Sequence, residues 1–207
     1  VTITLLRPST GETLELKITR SKIKVKTVTS IMVPGTKVAH IRLNQYSANA
    51  SDELRAAIQD AKSQGATGII FDLRNNPGGL LSEAVNVTSE FLKDGNVLLQ
   101  RDRGGKEIPY PVKAGGQATD IPMVVLINQG TASAAEITSG ALQYYKRGTV
   151  IGMPTFGTGT VLSTFKLSDG SALLPLDTDA GVACEVCHRA VSPSAHVEAG
   201  DQAAARD

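Results

Sequence analysis

Two apolar runs constrain this chain more than anything else in it. Residues 67–73 read Thr-Gly-Ile-Ile-Phe-Asp-Leu, and residues 121–128 read Ile-Pro-Met-Val-Val-Leu-Ile-Asn. Each is short, continuous and rich in β-branched residues, the pattern of a parallel strand buried on both faces. Each runs into a turn of small and amide residues and then into a helical pattern. "DLRNNPGG" leads to "LLSEAVNVTSEFLKDG", and "NQGTA" leads to "SAAEITSGALQYYKR". A third unit precedes them: strand "KVAHIRL" and then "SANASDELRAAIQDAKSQG". There Ser51 or Asn49 fits an N-cap, Leu54, Ala57, Ile58 and Ala61 form a stripe, and Gly65 marks the stop. Strands alternating with helices imply right-handed crossovers and an α/β fold with a mostly parallel sheet and flanking helices.

The remaining segments are β-rich. "VTITLL" and "TLELKI" flank the turn "PSTGE", and "SKIKVKT" alternates lysines with apolar residues, as a charge-protected strand does. "NVLLQRD" and "EIPYPVK" flank "RGGKE", and "GTVIGM", "GTVLSTFKL" and "SALLPL" read as further strands. From about Pro175 the chain turns Ala- and Asp-rich without a period, which predicts a poorly ordered tail over 175–207.

With 207 residues, 41% hydrophobic and 20% charged, the chain can build a real core. A net charge of +1 and the lack of tryptophan argue against a nucleic-acid or anionic-membrane partner. The apolar runs fall far short of the ~20 residues a spanning helix needs. No signal peptide is visible, and the sequence opens on Val1, so this says nothing of location. Cys184 and Cys187 are the only cysteines, which leaves the body without a disulfide or thiolate metal site.

Ser133 is the residue on which function turns. Glu136 stands three positions on, the spacing of a capping box that satisfies free N–H groups at a helix start. The same junction suits a nucleophile. It lies past the carboxyl end of a strand, where ligands sit in open α/β sheets, and the helix N-terminus favours developing negative charge. Gly78 and Gly79 follow another such strand. They read either as oxyanion donors or as a turn that needs positive φ.

Three separated stretches carry a resemblance. "IRLNQYSANASDELRAAIQDAKSQGATGIIFDLRNNPGGLLSEAV", "VVLINQGTASAAEITSGALQ" and "GMPTFGTGTV" with "LSDGSALL" are similar to the carboxy-terminal processing peptidases, or tail-specific proteases, over about Lys37–Leu174. Residues 1–23 resemble the last strands of the PDZ domain that precedes the peptidase core in that family. The resemblance implies a crotonase-like core over 24–174. It implies a Ser–Lys site that cleaves proteins near unstructured, apolar C-termini, and an extracytoplasmic setting in the periplasm, cell envelope or thylakoid lumen. It places the nucleophile at Ser133 and the oxyanion donors on the backbone of Ala134 and of Gly78–Gly79. The family's base lysine falls on Thr158, its supporting glutamine on Leu162, and an aspartate on Tyr144.

The Thr158 departure has a chemical consequence. A serine hydroxyl needs a nearby base, and a threonine hydroxyl is no base near neutral pH. Lys146, at the far end of the Ser133 helix, Lys166, His40 and Glu136 offer no evident replacement. The reading is therefore a serine endopeptidase acting on a protein or peptide, or else an impaired pseudoprotease that holds a peptide strand without cutting it. A remote third reading rests on "CEVCH". Cys184, Cys187 and His188 fit covalent c-type haem attachment, with His196 as the other axial candidate. No cofactor or metal is otherwise expected. The tail departs from the family's usual continuation, as a truncated or frame-shifted end would.

Overall fold

The computed structural model describes residues 1–21, 26–101, 105–158 and 165–173. A five-stranded sheet carries the molecule. β4 (Val38–Leu43), β5 (Gly68–Asp72), β8 (Met123–Ile127) and β9 (Thr149–Gly152) are mutually parallel, and β3 (Val28–Met32) adds to β4 antiparallel. The parallel strands follow one another across the sheet in chain order. Right-handed crossovers then place their helices on one face. The core agrees: Ala39, Ile41, Leu43, Ile69, Phe71, Met123, Val125, Ile127 and Val150 meet α1 (Ala50–Ser63), α2 (Leu81–Ser89) and α3 (Ala134–Tyr144) in one apolar cluster.

The opposite face differs from the expectation of strands buried on both sides. His40, Arg42, Ile70, Val124 and Leu126 are only half-buried, alternating with the fully buried set. A continuous apolar run reads the same whether its second face is sealed or half covered, so the sequence could not separate the two. The result is two layers, helices over one sheet face.

Helix ends follow the small residues. Asn49 caps α1 in the left-handed region, at φ 71, and Gly65, at φ 82, closes it. The stripe Leu54, Ile58 and Ala61 is buried, each side chain of the larger kind contributing about 1.5–3 kcal/mol. Phe71 of β5 packs on Phe91 just past α2, ring centroids 4.8 Å apart, which fixes the distance between sheet and helix layer.

Three hairpins stand apart from this sheet. β1 (Thr2–Arg7) and β2 (Glu12–Lys17) pair antiparallel, as do β6 (Asn96–Arg101) with β7 (Glu107–Pro111), and β10 (Phe165–Lys166) with β11 (Ala172–Leu173). β3 has no counterpart among the expected strands. The one expected at "SKIKVKT" falls largely on residues 22–25, outside the described residues, as does the 175–207 tail. Among the described residues, no helix is long and apolar enough to cross a membrane.

Candidate active site

The turns after β5 and β8 are laced together. Thr131 Oγ1 donates to Leu73 O at 2.9 Å and Ala132 N to Asn76 O at 2.9 Å. Asn128 Oδ1 accepts from Asn75 N at 2.8 Å and Asn128 Nδ2 donates to Asn75 Oδ1 at 2.9 Å. A buried asparagine sets the next step. Asn76 Nδ2 reaches back to Leu43 O at 2.8 Å, and its Oδ1 accepts from Gly78 N at 2.8 Å. The glycine loop is thus locked to the end of β4 as well as to the Ser133 turn.

The closest approach is at Gly78. A Cβ there would lie 2.7 Å from Ala132 O, 2.7 Å from Ser133 Cβ and 2.8 Å from Ala134 N. Only a residue without a side chain lets the two turns meet this way. Gly79 forms a parallel bridge with Tyr46, in which Tyr46 N donates to Gly78 O at 2.9 Å and accepts through its own O from Leu80 N at 2.8 Å. Tyr46 spends both polar groups on the neighbours, so the N–H and C=O of Gly79 face the other way. Gly78 N–H is committed to Asn76. Gly79 N–H and Ala134 N–H have no acceptor among the described residues.

Ser133 itself is half-buried, at φ 53 and ψ −119, immediately before α3. A non-glycine residue held there stores on the order of 1–3 kcal/mol of strain, which persists only where the surroundings over-determine it. The over-determining group is Glu136. The residue is 2% exposed. Oε2 accepts from Ser133 N at 2.7 Å and from Thr158 N at 2.9 Å. Oε1 accepts from Thr155 Oγ1 at 2.7 Å and from Gly157 N at 2.6 Å. Phe156 N adds a bond to Thr131 O at 3.0 Å. Thr158, half-buried, therefore sits beside Ser133, since one oxygen accepts from both their amides.

The other residues singled out in the sequence lie elsewhere. Tyr144 ends α3, is well exposed and packs edge-on against Tyr145 at 5.0 Å. Lys146 is beyond that end, and the helix from Ser133 to Tyr144 alone spans roughly 17 Å at 1.5 Å per residue. Lys166 is exposed on β10. His40 gives Nε2 to Asp72 Oδ2 at 3.0 Å. Leu162, Cys184, Cys187, His188 and His196 lie outside the described residues.

Asp72 ends β5, fully buried, and anchors the loop that carries Gly78. Burial alone would push its pKa up. The Arg74 side-chain bonds at 2.9 and 2.7 Å, the Arg74 N–H at 3.0 Å, the bond from His40 and the Arg74 charge outweigh it and pull the carboxyl down to about 2. A depressed carboxylate pKa stabilises the fold above the unfolded value near 3.8, and that stability is lost as pH falls toward 2. Acid unfolding between pH 4 and 2 should therefore weaken the protein by about 2 kcal/mol through this group. Asp72→Asn should lower stability at pH 7 and flatten that limb, read by denaturant titration at several pH values. An acid limb as steep in the variant as in the parent would refute the assignment.

A mostly parallel sheet buried on one face, with a strained serine at a helix start and a glycine loop pressed against it, is an α/β scaffold that presents a serine at the rim of its sheet. The chain belongs to peptidase family S41, whose profile matches residues 37–177. It is 42% identical over 176 residues to the carboxyl-terminal-processing protease of Synechocystis sp., covering 84% of this chain and 41% of that protein. It is 39% identical over 178 residues to the carboxy-terminal-processing protease of Bartonella bacilliformis, again 84% and 41%. The chain thus spans about two fifths of the curated relatives it matches. Among solved structures, the photosystem II D1 C-terminal processing protease superposes with a TM-score of 0.72 at 30% identity, over 95% of this chain and 55% of that one.

Glu136 reached the sequence reading only as a helix cap, and Asn76 and Asp72 did not enter it as working residues. The S-x-x-E spacing explains Glu136 fully as a local cap. Its second set of donors, at 155–158, is too remote in sequence for any local pattern to reveal.

Proposed function

We propose that this chain carries the peptidase core of a tail-specific serine protease whose catalytic centre is Ser133, with the base position filled by Thr158. The observation that carries this is the single Glu136 oxygen shared by the amides of residues 133 and 158, beside the N–H groups of Gly79 and Ala134, which have no acceptor among the described residues. In the reaction, Ser133 Oγ attacks a peptide carbonyl carbon, its proton passes to a base, and the carbonyl oxygen becomes an oxyanion held by Gly79 and Ala134. Collapse expels the amine with a proton, and water releases the acyl group from Oγ. Thr158 cannot take the first proton, so this copy turns over slowly and holds peptide more than it cuts. Leu162 and Tyr144 replace the family's supporting glutamine and aspartate in the same reading.

The finer features rest on kinship and on local chemistry. Residues 1–23 are proposed as the end of a PDZ-like domain, in keeping with a β1–β2 hairpin that forms a sheet of its own. Residues 24–174 are proposed as a crotonase-like core, and 175–207 as an atypical tail. The substrate is proposed as an unstructured chain with an apolar C-terminus. Leu80, Met153 and Phe156 support this: all three are exposed, and their amides are bonded to Tyr46, Ile127 and Thr131 around the site. An extracytoplasmic location is proposed by kinship alone.

An unstructured polypeptide ending in apolar residues tests the reading, with cleavage followed by mass spectrometry and binding by fluorescence anisotropy. Slow cleavage that Ser133→Ala abolishes supports the peptidase. Binding without cleavage, unchanged in Ser133→Ala, supports the peptide-holding alternative. Neither cleavage nor binding sinks both.

A further inference from the structure

We infer that Glu136 is a positioning residue: its buried carboxylate fastens the 154–158 segment to the Ser133 turn and so aims whatever side chain stands at 158 toward the nucleophile. This rests on the Ser133 reading above. A helix cap needs one donor from the N-cap residue. Glu136 takes that bond and three more, from Thr155, Gly157 and Thr158, all outside its own helix. Among the described residues it has no ion-pair partner, so this buried charge is balanced by directed N–H and O–H groups alone. Charge-assisted hydrogen bonds of this kind are about twice as strong as neutral ones, and their geometry is correspondingly stiff.

The oxygens divide the work. Oε2 joins residue 133 to residue 158, and Oε1 holds residues 155 and 157. Glutamine cannot reproduce this. Whichever way its amide turns, one pair of donors faces an NH2 group instead of an oxygen. Glu136→Gln is nearly isosteric, so it releases one side of the clasp with little change in packing. Glu90 is the matched control. It is equally buried, accepts from Arg55 and Gln117, and lies at the C-terminal end of α2, the end away from the Gly78–Gly79 loop.

The test has two arms. In the parent chain, hydrogen exchange read by NMR should show the amide of Gly157 or of Thr158, whichever faces the new NH2 group, exchanging at least tenfold faster in Glu136→Gln and both unchanged in Glu90→Gln. In a Thr158→Lys background, Glu136→Gln should lower kcat for peptide hydrolysis at least tenfold with KM within threefold, while Glu90→Gln lowers the melting temperature and leaves kcat within threefold. Equal exchange in both glutamine variants overturns the inference whatever the kinetics. So does a kcat loss no greater than that of Glu90→Gln in an active background. If Thr158→Lys cuts no peptide, the Ser133 reading falls, and the exchange arm alone decides the role of Glu136.

Discussion

Thr158→Lys should raise the rate of peptide hydrolysis by roughly 10²–10⁴, the span that a positioned general base contributes. The expectation is geometric before it is chemical. Residues 133 and 158 share the Glu136 oxygen, so their backbones are already in place, and only the side chain is wrong for the chemistry. A lysine side chain is long enough to bring its amine from position 158 to the Ser133 hydroxyl. Two influences set its titration. Partial burial at 158 disfavours the ammonium and lowers its pKa, while the Glu136 carboxylate favours the ammonium and raises it. The free amine is the working form, so kcat/KM should rise with pH through that pKa and level off above it. Thr158→Met, similar in length but without an amine, separates base catalysis from simple filling of the site. The double variant Ser133→Ala, Thr158→Lys should lose the gain entirely. A gain shared by Thr158→Met, or one that survives Ser133→Ala, would remove the base assignment. So would a Thr158→Lys protein that binds peptide and cuts it no faster than the parent.

How much of this could be read from residues alone depends on the range of the interaction. The helices were legible because a stripe such as Leu54, Ile58 and Ala61 is a local period, and the stop at Gly65 is a local backbone need, at φ 82, whereas α2 ends at Ser89, six residues short of the stop that Gly95 suggests. Ser133 and the Gly78–Gly79 pair were legible as turn residues at carboxyl ends of strands, and a parallel sheet brings those ends to one rim. β3 was not. Val28–Met32 is short, carries Thr29 and Ser30, and becomes a strand through its ladder with β4 more than through its own pattern. The difference between Gly78 and Gly79 was also out of reach. It is decided by Asn76 Oδ1 and by the bridge at Tyr46, two partners that local propensity cannot place. Glu136 shows the same limit most sharply, because a complete local explanation hid a long-range one.

The convergence of the two turns makes Gly78→Ala a strongly damaging small substitution at the site. Gly78 sits at φ +92, which costs an L-residue about 1–2 kcal/mol by itself. The new methyl would then meet Ala132 O, Ser133 Cβ and Ala134 N at 2.7–2.8 Å, well inside van der Waals contact. Two of those atoms are backbone, and the turn that holds them is tied to Glu136, Asn76 and Leu73, so it cannot simply step aside. Nor can Gly78 retreat, because its N–H is bonded to Asn76 and its C=O to Tyr46 N. Overpacking of this kind adds about 1–3 kcal/mol, for a total of about 2–5. In a chain of this size each kcal/mol moves Tm by about 2–4 °C, so a fall of about 10 °C is expected. Gly35→Ala is the control: φ there is +74, yet an added Cβ has nothing within 4 Å, so it carries the conformational cost without the collision. The second readout is local. Any shift that relieves the clash pushes residues 132–134 away from the Gly79 N–H. In a Thr158→Lys background, where the hydroxyl has a base, labelling of Ser133 by a fluorophosphonate should therefore slow when Gly78→Ala is added, at temperatures where the protein is still folded, and stay unchanged with Gly35→Ala. Gly78→Ala and Gly35→Ala proteins that melt within about 2 °C of one another and label Ser133 equally fast would mean that the two turns do not press together, and that Ser133 has no oxyanion donor opposite it.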